Sequence, residues 1–328
     1  MAGGLGTRLR PLTCDRPKPL VPVANRPLLE HLVRLLKRHG FEEIYLTTHY
    51  LPGHIERALG DGSRFGVTLH YAIEPYPLGT AGAVSRVARS FSETFLVISG
   101  DCLTDIDLRK AVDFHRSRGA VATMVVKEVE DPRQYGIVSA DERGRVRRFL
   151  EKPAPEEVFS RTANTGIYVL EPEALDGCPD GVPYDFSKEL FPQLLSAGEP
   201  LYAAPGDGYW SDIGSCTQYI RSQVDALERK VKLAGLPEAP RGLWLHPTAV
   251  VDRGARLVPP VMIGRGARIA AGARVGPGTV LGDGCEVHEE AVVERSVVWE
   301  WGTIGPESVV LGAAVGAVAV VEERVRLL

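Results

Sequence analysis

The run Ala2-Gly3-Gly4-Leu5-Gly6-Thr7-Arg8-Leu9-Arg10-Pro11-Leu12, followed by Arg16-Pro17-Lys18-Pro19-Leu20, could do chemistry on phosphates. Three glycines let backbone N–H groups approach anionic oxygens, and Arg8 and Lys18 add positive charge. No Gly-Lys-Ser/Thr follows, so this is not a Walker loop, and the glycine spacing does not fit a dinucleotide fingerprint. Taken alone, the run is equally a glycine-rich turn with a solvated basic face. Asp101, in Ser99-Gly100-Asp101, follows the apolar run Phe95-Leu96-Val97-Ile98. An aspartate at the C-terminal end of a buried strand lies where α/β sheets bind ligands, and magnesium takes one or two carboxylates plus substrate phosphates. Asp212, in Trp210-Ser211-Asp212-Ile213-Gly214, is a second such acid. Each is also explained as a turn or N-cap residue, although Asp105 and Asp107 are better caps for the helix that follows. Lys152, in Glu151-Lys152-Pro153, could hold a phosphate as a point charge. Asn164, in Asn164-Thr165-Gly166, could offer an amide to sugar hydroxyls, or simply occupy a turn. The 8 histidines are dispersed and form no Ser/His/Asp or metal-binding pattern.

The segments that must position these residues alternate between helix and strand. Pro27–His39 carries Leu28, Leu29, Leu32, Val33, Leu35 and Leu36 on a helical face, with Pro at its start and Gly40 as its stop. Strand 43–48, helix 52–59, strand 67–73, helix 81–90, strand 95–99, helix 108–118 and strand 121–127 follow. Segments 135–140 and 146–151 read as a hairpin turning at Asp141-Glu142-Arg143-Gly144. This alternation predicts a Rossmann-like, mostly parallel sheet with helices on both faces.

After residue 242 glycine is concentrated and the helical period fades. Val251, Leu257, Ile263, Ile269, Val275, Leu281, Val287 and Val293 recur every six residues, often with a small residue two positions earlier. Three hexapeptides make one turn of a triangular parallel β-helix with each aliphatic inward. The phase slips once between Val293 and Ile304, and the repeat makes about four turns. The expected domains are 1–229, a linker 230–243 rich in Pro and Gly, and a β-helix over 244–328.

The chain has 328 residues, 44% hydrophobic and 24% charged, with a net charge of −4. Composition of this kind excludes a disordered or collagen-like chain, and the charge argues against a nucleic-acid footprint. There is no long apolar run, so no membrane span is expected. Five scattered cysteines without a C-x-x-C pair suit a reducing cytoplasm rather than a disulfide framework or a zinc site. The N-terminus lacks a signal-peptide pattern, which again implies a cytoplasmic location.

Eight motifs in order resemble the sugar-1-phosphate nucleotidylyltransferases. They are Gly-Gly-x-Gly-Thr-Arg-Leu-x-Pro-Leu-Thr (3–13), Arg-Pro-Lys-Pro-Leu (16–20), Pro-Leu-Gly-Thr-Ala-Gly (77–82), Gly-Asp (100–101), Tyr-Gly (135–136), Glu-Lys-Pro (151–153), Asn-Thr-Gly-Ile-Tyr (164–168) and Trp-x-Asp-Ile-Gly (210–214). The six-residue repeat resembles the left-handed β-helix tail common in that family. The resemblance implies an enzyme that transfers a nucleoside monophosphate from a nucleoside triphosphate to a sugar 1-phosphate, releasing pyrophosphate, with Mg²⁺ as cofactor. It implies catalytic roles for Arg8, Lys18, Asp101 and Asp212, the two aspartates holding the metal. Ala2, Gly3, Gly4, Gly6, Thr7, Arg8, Glu74, Gly79 and Thr80 would bind the nucleotide, and Gly136, Glu151, Lys152 and Asn164 the sugar phosphate.

The likeness is strongest to the branch that uses GTP and mannose 1-phosphate. Thymidylyl members carry Gln at the position of Glu74. A carboxylate only accepts hydrogen bonds, which complements the adjacent N1–H and N2–H₂ donors of guanine. Thymidylyl or uridylyl transfer to glucose 1-phosphate, and a non-catalytic regulatory role, are the alternatives. A β-helix that also acylates sugars would need a general base, for which only His246 and His288 are available. Self-association into a dimer or tetramer through the β-helix is expected. Relatives carry a few apolar residues ahead of the glycine loop as a central first strand. Here the loop begins at residue 2: either the start is assigned late, or the chain is trimmed, or the strand is missing, and a missing strand would weaken the sheet and the base pocket.

Overall fold

The computed structural model describes Met1–Leu328. The chain folds into two compact units, neither contiguous in sequence. One comprises Met1–Gly4, Val33–Cys102 and Ile106–Trp210; the other comprises Leu5–Leu32, Leu103–Asp105 and Ser211–Leu328. No helix is long and apolar enough to cross a membrane.

In the first unit the expected alternation is present. Strands Glu43–Thr48 and Thr68–Ile73 pair in parallel, separated by helix Pro52–Leu59. Helix Leu108–Arg118 starts on Asp107, whose carboxylate accepts the Arg109 and Lys110 N–H groups, and stops at left-handed Gly119. Helix Gly79–Ala88 begins two residues before the expected start. Its first-turn N–H groups at Ala81 and Gly82 both donate to the Tyr184 carbonyl at 2.9 Å, a distant partner that local pattern does not reveal.

The larger sheet has the order Leu201–Pro205, Ala122–Glu128, Thr162–Leu170, Gly136–Ala140, Val146–Glu151, with Phe95–Ile98 also bonded to Thr162–Leu170. Thr162–Leu170 runs antiparallel to both Phe95–Ile98 and Ala122–Glu128, so those two share a direction without pairing to each other. Leu201–Pro205 continues that direction beside Ala122–Glu128. The sheet is therefore mixed and not mostly parallel as the alternation predicts. Phe95–Ile98, Ala122–Glu128, Gly136–Ala140 and Leu201–Pro205 run one way, and Thr162–Leu170 and Val146–Glu151 run in reverse. Leu201–Pro205 with Ala122–Glu128 is its one parallel pair, because the long strand Thr162–Leu170 and the hairpin are inserted among the others. Ile167, Val169 and Leu170 on that strand are fully buried, and Tyr168 packs edge-on against Phe191 at 4.9 Å.

Met1 and Ala2 lie between strands 43–48 and 95–98. The Met1 amine donates to the Ile98 carbonyl (2.9 Å), the Met1 carbonyl accepts from Gly100 (2.7 Å), and the Ala2 N–H donates to Thr47 (2.8 Å). Two residues thus bridge strands that otherwise make no bonds to one another. Burial holds the Met1 amine below its ordinary pKa, against the opposing pull of Asp101.

In the second unit, Leu243–Leu327 winds into a parallel solenoid of three five-stranded sheets. The inward aliphatics are buried, from Ile263 and Ile269 through Leu281, Val293 and Ile304 to Val321. Five coils form, one more than the sequence repeat suggests. The first two steps span 18 residues (Val261 over Leu243, Thr279 over Val261), and the later ones span 17 (Val297 over Val280, Ala314 over Val297). The slip expected once falls between Val293 and Val298, and it recurs between Val310 and Val315. Buried hydroxyls fill the small-residue column: Ser296 donates to Glu294 and Val310 carbonyls, and Ser308 to the Glu322 carbonyl. Each hydroxyl, itself fully buried, satisfies backbone carbonyls inside the solenoid.

Candidate functional site

The glycine loop has no regular structure until Gly6, whose left-handed backbone (φ 62°) starts a single 3₁₀ turn, Thr7–Leu9. Gly6 sits on the buried residues behind it: a Cβ there would stand 2.9 Å from Lys18 Cβ and 3.3 Å from Thr13. The Thr13 hydroxyl donates to the Gly6 carbonyl at 2.8 Å. Gly4 faces open space on the side where a Cβ would project. These contacts give the loop its shape and leave its tip accessible.

Lys18 is only 7% exposed, and its ammonium lies 3.6 Å from Asp212 Oδ1. The second Asp212 oxygen and the Arg8 guanidinium both crowd Gly214, where a Cβ would meet them at 2.8 and 3.1 Å. Arg8, Lys18 and Asp212 are thus brought together at the second unit's glycine turn. Two cations around one carboxylate leave an excess of positive charge, the electrostatics an anionic substrate needs.

In the first unit, Asp101 ends strand Phe95–Ile98 as expected and accepts the Ser99 hydroxyl at 2.6 Å. Glu74 is 8% exposed. Its Oε2 accepts the Leu78 N–H at 3.0 Å, and Oε1 lies 2.8 Å from where a Gly3 Cβ would stand. Glu74 thereby ties segment 74–78 to the glycine loop. Burial raises its pKa above the ordinary carboxylate value, against the opposing Leu78 hydrogen bond. Gly79, at φ 72°, packs on the Tyr184 backbone, and Thr80 spends its hydroxyl on Asp185 (2.8 Å) and on the Phe186 N–H (3.0 Å). Both therefore contact the 184–186 segment, a partner the sequence did not suggest.

Gly136, Glu151, Lys152 and Asn164 form another group. A Cβ on Gly136 would strike Glu151 Oε2 at 2.7 Å. Lys152 takes a left-handed backbone (φ 47°) while its N–H donates to the Tyr135 carbonyl. The Asn164 amide donates to the Tyr168 hydroxyl at 3.0 Å. Burial is the main cause that raises the Glu151 pKa; Lys152 opposes it, and Asp185 adds to it. Asp185 and Ser187 stand beside Glu151 and Asn164 and were missed from sequence. Asp185 caps Phe186–Leu190 by accepting the Ser187 and Lys188 N–H groups. That capping pattern was legible, but not its place opposite Glu151. Tyr135 and Trp210 meet edge-to-face at 5.2 Å beside it, and the indole N–H donates to the Thr165 carbonyl.

The donor set suits magnesium. Asp101, which accepts the Ser99 hydroxyl, and Asp212, beside Lys18, are carboxylates of the hard oxygen type that magnesium takes one or two at a time, with substrate phosphates completing the shell.

Residues 1–229 match the model of the nucleotidyl transferase family, and residues 257–328 match the GMPPB C-terminal domain. The chain is 37% identical over 323 residues to a UTP–glucose-1-phosphate uridylyltransferase of Synechocystis, covering 93% of this chain and 83% of that protein. It is 40% identical over 227 residues to a mannose-1-phosphate guanylyltransferase of Mycobacterium tuberculosis, covering 69% of this chain and 63% of that protein. Among solved structures, HddC from Yersinia pseudotuberculosis complexed with GMP-PN is similar, with a TM-score of 0.57 and 27% identity over 68% of this chain and 95% of that one. The chain therefore belongs to the nucleotidyl transferase family, as a sugar-1-phosphate nucleotidylyltransferase.

Proposed function

We propose that the chain transfers a guanylyl group from GTP to mannose 1-phosphate, giving GDP-mannose and pyrophosphate. The observation that carries the choice of base is Glu74, a buried carboxylate beside the glycine loop that can only accept hydrogen bonds when ionised. The 40% identity to a mannose-1-phosphate guanylyltransferase supports it. Uridylyl transfer to glucose 1-phosphate is the second reading, favoured by the uridylyltransferase that matches 93% of this chain.

In the reaction, a phosphate oxygen of the sugar 1-phosphate attacks the α-phosphorus of the triphosphate in line. The bond from that phosphorus to the bridging oxygen breaks, and pyrophosphate leaves with its electron pair. The attacking oxygen is already ionised at neutral pH, so no general base is required. Catalysis rests on positioning two anions that repel each other. Arg8 and Lys18 would hold the triphosphate, Lys18 nearer the reacting phosphorus and oriented by Asp212. Lys152 would hold the sugar phosphate, with Glu151 and Asn164 on the sugar hydroxyls. Asp101 and Asp212 would hold magnesium, which when bound neutralises charge on the phosphates.

Pyrophosphate release, measured across GTP, UTP, dTTP, CTP and ATP with mannose, glucose and N-acetylglucosamine 1-phosphates, tests the proposal. Turnover dominated by GTP with mannose 1-phosphate is the expected result. In Glu74→Gln, kcat/KM for GTP relative to UTP should fall by about tenfold, the worth of one hydrogen bond to a charged group. A wild-type preference for UTP with glucose 1-phosphate would replace this reading with the second.

A further inference from the structure

A cavity lined by none of the candidate catalytic residues lies on the solenoid face of the second unit. It has a volume of about 620 Å³ and is lined by Asn25, Arg265, Asp283, Trp299, Glu300 and Trp301, among others. Its size falls within the range of small-molecule sites.

The cavity is built on one corner of the solenoid, where successive coils stack Gly266, Gly284, Trp301 and Val318, all with left-handed backbones. Trp301 is the large aromatic in that column, and it is 64% exposed. Its ring lies flat over Gly284: a Cβ on that glycine would run into the six-membered part of the indole. Gly266, one coil further on, has open space where a side chain would be. The two glycines thus leave a trough that the indole floors. The second tryptophan, Trp299, is buried and fixed by its N–H to the Tyr219 hydroxyl at 2.9 Å, with the Arg16 guanidinium stacked on it at 4.5 Å.

The polar rim is charged but balanced. Arg265 pairs with Asp283 at 3.2 Å, and Arg16 forks onto both oxygens of Glu300. Asn25 donates its amide to the Leu281 carbonyl at 2.8 Å and keeps its carbonyl oxygen as an acceptor. Two cations against two carboxylates give no net charge, so the site has no pull on a phosphate. What it offers is a flat apolar face ringed by planar acceptors and donors. That combination matches a pyranose, which presents C–H groups on one face and hydroxyls around its edge.

We propose that this cavity binds a neutral hexose ring, stacked on Trp301 with its hydroxyls on Asp283, Glu300, Asn25 and Arg265. It is a second sugar site, separate from the one around Glu151, and it would let the enzyme sense free hexose or the hexose end of a glycoside.

Saturation-transfer NMR on the full chain with D-mannose and D-glucose, each at about 5 mM to detect millimolar binding, tests this. Wild type and Glu151→Ala, which lacks the catalytic sugar contact, should both transfer saturation to the sugar protons. Trp301→Gly, which suits the left-handed backbone, should weaken the binding by about tenfold, the scale of one lost aromatic stack. Its kcat and KM should stay at wild-type values, which shows that the variant folds. No transfer in wild type, or transfer lost in Glu151→Ala but kept in Trp301→Gly, would overturn the proposal. A stronger response to guanosine or uridine than to hexose would also overturn it. So would a lower mass by light scattering for Trp301→Gly, which would make this face a contact between copies.

Discussion

The solenoid and the first unit solve opposite problems. In the solenoid each coil sees only its neighbours, and one aliphatic every six residues suffices to build a continuous core from Ile263 to Val321. In the first unit, residues far apart must meet: Gly3 with Glu74, Thr80 with Asp185, Trp210 with Thr165. Repetition makes stability locally redundant, whereas the site depends on single side chains that nothing else can replace.

Three substitutions sharpen that contrast. The largest effect is expected for Asp101→Asn, which keeps the Ser99 hydrogen bond but removes a charge. Its kcat should fall by about 10²–10³, with the thermal midpoint unchanged. A loss of stability matching the loss of rate would make Asp101 structural instead. Leu281→Ala, at a fully buried solenoid position, should cost about 2–5 kcal/mol in urea unfolding, with unchanged turnover per folded molecule. A drop in kcat at temperatures well below the transition would erase the contrast.

The smallest effect concerns Glu151. Burial raises its folded-state pKa above the ordinary value of 4.5. Below that value both states carry the proton and nothing is lost. As pH rises, the unfolded chain ionises first, so the folded state loses stability until the folded pKa is passed. Glu151→Gln should therefore raise the midpoint at pH 7, with the difference vanishing below the ordinary carboxylate range. Weakened sugar-phosphate binding should accompany it. A midpoint that rises equally at pH 4 would sink the assignment.

Local pattern made most elements legible. Strand Glu43–Thr48 and helices Pro52–Leu59 and Leu108–Arg118 fall where alternation, Pro and N-cap residues put them. The hairpin turns where Asp141 can accept the Arg143 and Arg145 N–H groups. Pairing between distant segments was not legible. Nothing in Thr162–Leu170 says that it enters between two strands of opposite direction, because apolar strands buried on both faces read alike in either orientation. The discontinuous units escaped notice for the same reason: Leu5–Leu32 joins Ser211–Leu328 through bonds such as Tyr219 and Gln223 to the Pro22 carbonyl. Motifs named the candidate site residues by type, but they did not show that Glu74 accepts from Leu78 or that Asp185 stands near Glu151. Those contacts depend on where loops end in space.

The change of coil step from 18 to 17 residues carries a consequence for how such a chain can vary. Both step lengths maintain the same three stacked sheets, so one residue lost at a corner does not propagate along the stack. A whole coil gained or lost also leaves every remaining strand with a neighbour of the same kind. The tail can therefore grow or shrink in units of a coil while the catalytic residues stay untouched. Length in this region is then a quantity that duplication and deletion can adjust independently of the chemistry.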